Sequence, residues 1–253
     1  MGLHGKVALV TGAAGGIGKA IVEGLAERGA HVIVADLQES GLAVAEVVGG
    51  TFLQADLADM AEVRQLAEQS LAVKGGVDVL VNNAGLQHIA PVEDFPEETW
   101  AKMTQVMMVA PFQLTKHLLP GMKEQGWGRI INIASVHGLV ASPYKSAYVA
   151  AKHGLIGLTK TVALEAGAFG VTVNAICPAY VRTGLVESQI ADQARTLGIE
   201  EERVIDDVML GPAAIKRLIE PSEVAEMVLF LASDAASSIT GTAATMDLGW
   251  TAR

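Results

Sequence analysis

Cysteine is all but missing from this sequence: Cys177 is the one thiol in 253 residues. No internal disulfide can form, which excludes a disulfide-stapled scaffold and fits a reducing compartment. A lone cysteine reads as a small buried apolar side chain. Runs of Lys and Arg are also missing, and the formal charge is -10. Nucleic acid is disfavoured as a partner, because phosphate binding needs a basic surface. No stretch approaches the roughly 18 to 20 uninterrupted apolar residues of a membrane span. The opening segment MGLHGKVALVTGAAGG is broken by glycines and lacks a signal-peptide cleavage pattern. A soluble, cytoplasmic protein is expected. Linkers, tandem repeats and low-complexity tracts are absent as well, so one domain over 1–253 is expected.

Hydrophobic residues make up 51% of the chain and charged residues 18%, enough for a packed core. Short apolar runs recur: KVALVT (6–11), HVIVAD (31–36), TFLQAD (51–56), VDVLVN (77–82), RIINIA (129–134) and VTVNAI (171–176). Between them lie amphipathic stretches at 17–28, 60–73, 97–125 and 146–169. Strand alternating with helix predicts an α/β fold, a single-domain Rossmann-type doubly wound parallel sheet with helices on both faces. Residues 182–217 depart from this rhythm, with mixed polarity and scattered Gly and Pro, and are a candidate lid over a substrate.

Directly after the first run comes TGAAGGIG, in which Gly12, Gly16 and Gly18 open a helix, with Ile17 between the last two. A strand before and a helix after allow backbone N–H groups and the helix dipole to meet a pyrophosphate. Asp36 ends the second run, where a carboxylate can accept hydrogen bonds from both hydroxyls of an adenosine ribose. It would repel a 2'-phosphate, and Ala13, Ala14 and Leu37 supply no cation, so NAD is expected rather than NADP. Asp56 and Leu57 follow the third run and border the adenine in this reading. Asn83, Ala84 and Gly85 follow the fourth, again at the carboxyl ends of strands where open sheets bind ligands.

Tyr148 and Lys152 are spaced i, i+4 in SAYVAAKHGLIGLTK and would project from one helical face. A tyrosine's ordinary pKa near 10 is high for a base, and a neighbouring ammonium is expected to lower it. Ser135, at the end of the fifth run, can hold the substrate oxygen that Tyr148 protonates or deprotonates.

TGAAGGIG, NNAG, Ser135, Tyr148-xxx-Lys152 and the segment 178–183, in that order, resemble the short-chain dehydrogenase/reductase family over essentially the whole chain. The resemblance implies that Tyr148 is the acid/base, that Lys152 tunes it and binds the nicotinamide ribose, and that Ser135 orients the substrate oxygen. Val181 and Thr183 would lie beside the nicotinamide, with Pro178 also at the cofactor. The family commonly has an asparagine in the helix after NNAG, which bends it so that a backbone carbonyl holds a proton-relay water. Here Met107 occupies that register. Pro111, having no N–H, would free the carbonyl four residues earlier, that of Met107, or would simply kink the helix.

Lys145 precedes Tyr148 by three residues near the start of the helix, and a cation there suits an anionic substrate. Gln87, His137 and Gln189 are further polar groups able to converge with it on one carboxylate. The stretches NNAGLQHIAPVEDFP, INIASVHGLVASPYKSAYVAAKHG and NAICPAYVRTGLVESQI resemble family members that oxidise (R)-3-hydroxybutyrate to acetoacetate. That resemblance implies carboxylate binding by Gln87, His137, Lys145 and Gln189, with Tyr180 and Trp250 enclosing the carbon chain. Tyr180 stands where those members typically carry tryptophan. It also implies a homotetramer whose C-termini meet near a structural magnesium, but no cluster of metal ligands is legible. Two alternatives stay open: a dehydrogenase of another small hydroxy acid or secondary alcohol, and a non-catalytic NAD(H) sensor.

Overall fold

The computed structural model describes residues 2–252, apart from the side chains of Leu185, Ser188, Gln189 and Glu202. The first half of the sheet is built from β1 (Val7–Thr11), α1 (Gly16–Glu27), β2 (His31–Asp36), α2 (Gly41–Val48), β3 (Thr51–Gln54), α3 (Met60–Ala72) and β4 (Val79–Asn82). The chain continues through α4 (Glu97–Thr104), α5 (Ala110–Glu124), β5 (Gly128–Ile133), α6 (Ser146–Ala166) and β6 (Val171–Pro178). It then adds α7 (Gly184–Leu197), the single turn α8 (Glu201–Arg203), α9 (Pro221–Ala232) and β7 (Ala243–Met246). The strands form one parallel sheet in the order β3-β2-β1-β4-β5-β6-β7. Its direction of growth reverses between β1 and β4, and a crevice opens above such a switch point.

The apolar runs are unbroken because both faces of the sheet are covered. Alternate residues divide between two cores. Leu9, Ile33, Leu80 and Ile130 pack on one side with α3, α5 and α6, while Ala8, Val34, Val81 and Ile131 face α1 and α9 on the other. Among the described residues no helix is long and apolar enough to cross a membrane.

Three features differ from the sequence reading. A seventh strand, β7, lies at the sheet edge, where its four residues are only partly buried and carry little apolar signal. The helix expected over 97–125 widens between α4 and α5 into a π segment, Gln105–Val109, in which the Ala110 N–H bonds the Gln105 carbonyl. Pro111 follows in the first turn of α5, so the irregularity falls where an N–H is missing. The segment 182–217 is largely helical: α7, α8 and a second π segment, Val204–Met209, close around Tyr180, Val186, Ala194, Val204 and Met209.

Candidate active site

A crevice of about 790 Å³ opens above the carboxyl ends of β1, β4, β5 and β6. Its floor is the turn after β1. The Thr11 hydroxyl accepts from the N–H groups of Asn83 and Ala84 at 3.1 and 3.2 Å. The Asn83 side-chain amide donates to the carbonyls of Thr11 and Gly12, both at 2.9 Å. The two segments are thereby locked together, and a Cβ on Gly12 would lie 2.7 Å from the Ala84 Cα. Gly18 does not line the crevice as expected. A Cβ there would come within 2.1 Å of the Gly12 carbonyl oxygen, so its work is to let α1 approach β1. Gly16, with φ +52°, and Ile17 do line it. So does Gly15, whose added Cβ would meet open space.

Asp36 borders the same crevice from the end of β2. Its carboxylate accepts from the Ala14 N–H at 2.8 Å and the Gln38 N–H at 2.9 Å, which fixes both the glycine turn and its own orientation. Asp56, Leu57 and Gly85 lie along the wall, as do Pro178, Val181 and Thr183 on the opposite side. The Thr183 hydroxyl caps α7 by accepting from the Val186 N–H.

Tyr148 and Lys152 project from one face of α6 into the crevice, with the lysine Nζ 5.5 Å from the centroid of the phenol ring. Ser135 stands beside them at the end of β5; its hydroxyl accepts from the His137 N–H at 3.1 Å. Burial raises the Tyr148 pKa, and the Ser135 hydroxyl pulls against that rise. Lys152 does not lower it as expected. Its ammonium turns to the Ile133 carbonyl, 2.7 Å away, and burial brings its own pKa down to about 8. Desolvation of the phenol outweighs a cation directed elsewhere.

A second polar group sits beside this trio. Lys145, the N-cap residue of α6, is buried and pairs with no carboxylate among the described residues. Burial lowers its pKa to about 8. It donates to the Tyr180 hydroxyl at 3.2 Å. His137 is pushed down to about 3 by burial, with Lys145 and His153 adding to the shift, so it is neutral. Its ring meets the edges of Tyr148, Tyr180 and Trp250 at 5.8 to 6.3 Å. Among the described residues His137 Nε2 and Trp250 Nε1 are buried with no hydrogen-bond partner. Trp250 backs His137 rather than lining the crevice. Gln87 lines it, its side-chain oxygen accepting from the His88 N–H, which leaves its amide hydrogens for a ligand. The Gln189 side chain lies outside the described residues.

The residues that sequence reasoning missed contribute backbone atoms: the Ala14 N–H on Asp36, the open edge of Gly15 and the Ile133 carbonyl under Lys152. Only the run of glycines hints at the first two, and nothing in the sequence marks the third.

A family model described as short chain dehydrogenase matches residues 6–194. The chain belongs to the short chain dehydrogenase family. A D-beta-hydroxybutyrate dehydrogenase of Rhizobium meliloti (strain 1021) is 51% identical, covering 98% of this chain and 99% of that one. The enzyme of the same name from Cupriavidus necator is 44% identical over 99% of this chain and 100% of its own. A solved structure from Beutenbergia cavernae, provisionally described as an NAD(P)-dependent gluconate 5-dehydrogenase with bound NADP at low occupancy, superposes with a TM-score of 0.89. It is 36% identical and covers 100% of this chain and 99% of that one. As a short chain dehydrogenase the protein is an oxidoreductase using a nicotinamide cofactor, and the open space over Gly15 beside α1 suits a dinucleotide pyrophosphate.

Proposed function

We propose that this dehydrogenase oxidises (R)-3-hydroxybutyrate to acetoacetate, reversibly and with NAD. The observation that carries the substrate is Lys145, a buried cation with no carboxylate partner among the described residues, close enough to act on the charge of His137, whose Nε2 is likewise unpaired among them. Such groups are costly unless a ligand completes them, and a substrate carboxylate does so. The names of the two full-length relatives support the same acid. Gln87 and Gln189 complete the carboxylate site in this reading, Tyr180 bounds the carbon chain, and Trp250 supports that wall from behind through the His137 ring.

When bound, the nicotinamide supplies the hydride acceptor for C3. Tyr148 takes the hydroxyl proton at its Oη, Ser135 holds the substrate oxygen, and Lys152, held at the Ile133 carbonyl, binds the ribose. In reduction, the raised pKa of Tyr148 keeps its proton available for the ketone oxygen. The cofactor rests on Gly12, Gly16, Ile17, Asp36, Asp56, Leu57 and the 83–85 turn, with Pro178, Val181 and Thr183 opposite. A water on the carbonyl of Met107, which lies in the π segment before Pro111, completes the proton path in this reading. The molecule is a cytoplasmic homotetramer in this reading, supported by the exposed Phe112, Leu164 and Phe169 on α5, α6 and the turn after it.

NAD is favoured because Asp36 faces the crevice and its neighbours Leu37 and Gln38 carry no charge. Wild type is expected to prefer NAD over NADP by about 100-fold, and Asp36→Asn to narrow the gap. A wild-type preference for NADP overturns the assignment. The reaction itself is tested by following NADH absorbance with each hydroxybutyrate enantiomer. Turnover with the (R) form is expected, falling on the order of 1000-fold in Tyr148→Phe. Lys145→Ala is expected to raise KM by on the order of 30-fold, equivalent to about 2 kcal/mol. A second hydroxy acid remains a competitor, since the Beutenbergia protein is described by a sugar acid, and a substrate panel ranks the two.

A further inference from the structure

Lys145 and Tyr180 reach the crevice from separate parts of the chain and meet there at 3.2 Å, both buried. An ammonium has three donors, and here one points at the phenol oxygen. A phenol oxygen that accepts keeps its own O–H to donate, and that hydrogen has no acceptor among the described residues. Burial raises the Tyr180 pKa to about 12, so the proton stays in place at any working pH. The ring below the hydroxyl is fixed on two sides. It packs with Val186, Ala194, Val204 and Met209, and it meets the edge of His137 at 6.3 Å. The hydroxyl is therefore held rigidly beside the Lys145 Nζ.

We infer that the Tyr180 hydroxyl is a specificity-determining group: it donates to one oxygen of the substrate carboxylate while Lys145 holds the other. This rests on the carboxylate reading above and gives Tyr180 a polar task beyond bounding the carbon chain. Two donors of fixed spacing set the plane of the carboxylate as well as its position, so C3 presents one face to the nicotinamide. A neutral ester or alcohol of the same shape gains much less from the pair.

The test compares Tyr180→Phe, Lys145→Ala and wild type on (R)-3-hydroxybutyrate and on its uncharged methyl ester. Phenylalanine retains the ring packing and removes only the oxygen. For Tyr180→Phe the expected result is a rise in KM for the acid of about tenfold, with kcat within about twofold and the KM for the ester rising much less than that for the acid. The ester serves as the internal control for damage to the fold or pocket. An unchanged acid KM in Tyr180→Phe, with a raised one in Lys145→Ala, overturns the clamp and leaves carboxylate recognition standing. Equal losses on acid and ester overturn it in favour of a purely steric wall. Unchanged acid KM in both variants sinks the carboxylate reading itself.

Discussion

Lys145 has no anionic partner among the described residues, and that makes its protonation a property of the ligand as much as of the protein. Burial brings its pKa to about 8, and only the charged form attracts a carboxylate. Below that value the site is cationic and KM for hydroxybutyrate should be flat; above it KM should climb about tenfold per pH unit. Steady-state KM measured from pH 6 to 10 checks this, and a flat profile for the methyl ester separates Lys145 from Lys152. The charged and polar side chains of the site were legible because their chemistry is written in residue type: Ser135, Tyr148, Lys152 and Lys145 all come together. Their electrostatics were not, because burial and a backbone acceptor decide them. The Ile133 carbonyl that draws Lys152 away from Tyr148, and the Lys145–Tyr180 contact, arise only once the chain is folded.

The glycines of the turn after β1 look alike in sequence and act differently in place. Gly15 is extended and faces the crevice, so Gly15→Ala should melt like wild type yet bind NADH about tenfold more weakly. Gly18→Ala drives a Cβ onto the Gly12 carbonyl and should cost about 2 kcal/mol or more of stability. Thermal melts together with NADH fluorescence titration distinguish the two. Where α4 gives way to α5, Pro111→Ala restores an N–H able to engage a carbonyl of the π segment. Its kcat is expected to fall several-fold at constant KM; an unaltered kcat removes the Met107 relay. Elements with continuous apolar runs bounded by turn residues were readable, as β1 and β2 illustrate. β7 was not, because four half-covered residues at an edge look like loop; the π segment was readable only as a break before Pro111, because widening leaves the apolar spacing almost intact.

Across the whole molecule, the doubly wound order and the position of the crevice followed from alternating runs, since β-α-β connections permit few other arrangements. Stability adds a pH dependence of its own. His137 in the unfolded chain takes a proton near pH 6.5, whereas in the folded protein it does so only at about 3. Between those values the unfolded state binds the extra proton, so stability should decline as pH falls from about 6.5 toward 3. Melting temperatures across that range should drop more steeply for wild type than for His137→Gln, and parallel curves would refute the assignment.

The place of β1 between β2 and β4 also affects how the chain is assembled. One flank is filled by β2 at residues 31–36, but the other waits for residues 79–82. Until those arrive, an apolar strand shows a bare edge on which a second nascent copy can template itself. Refolding yield should therefore fall with rising protein concentration, and fragments that stop short of β4 should precipitate more readily than those that include it.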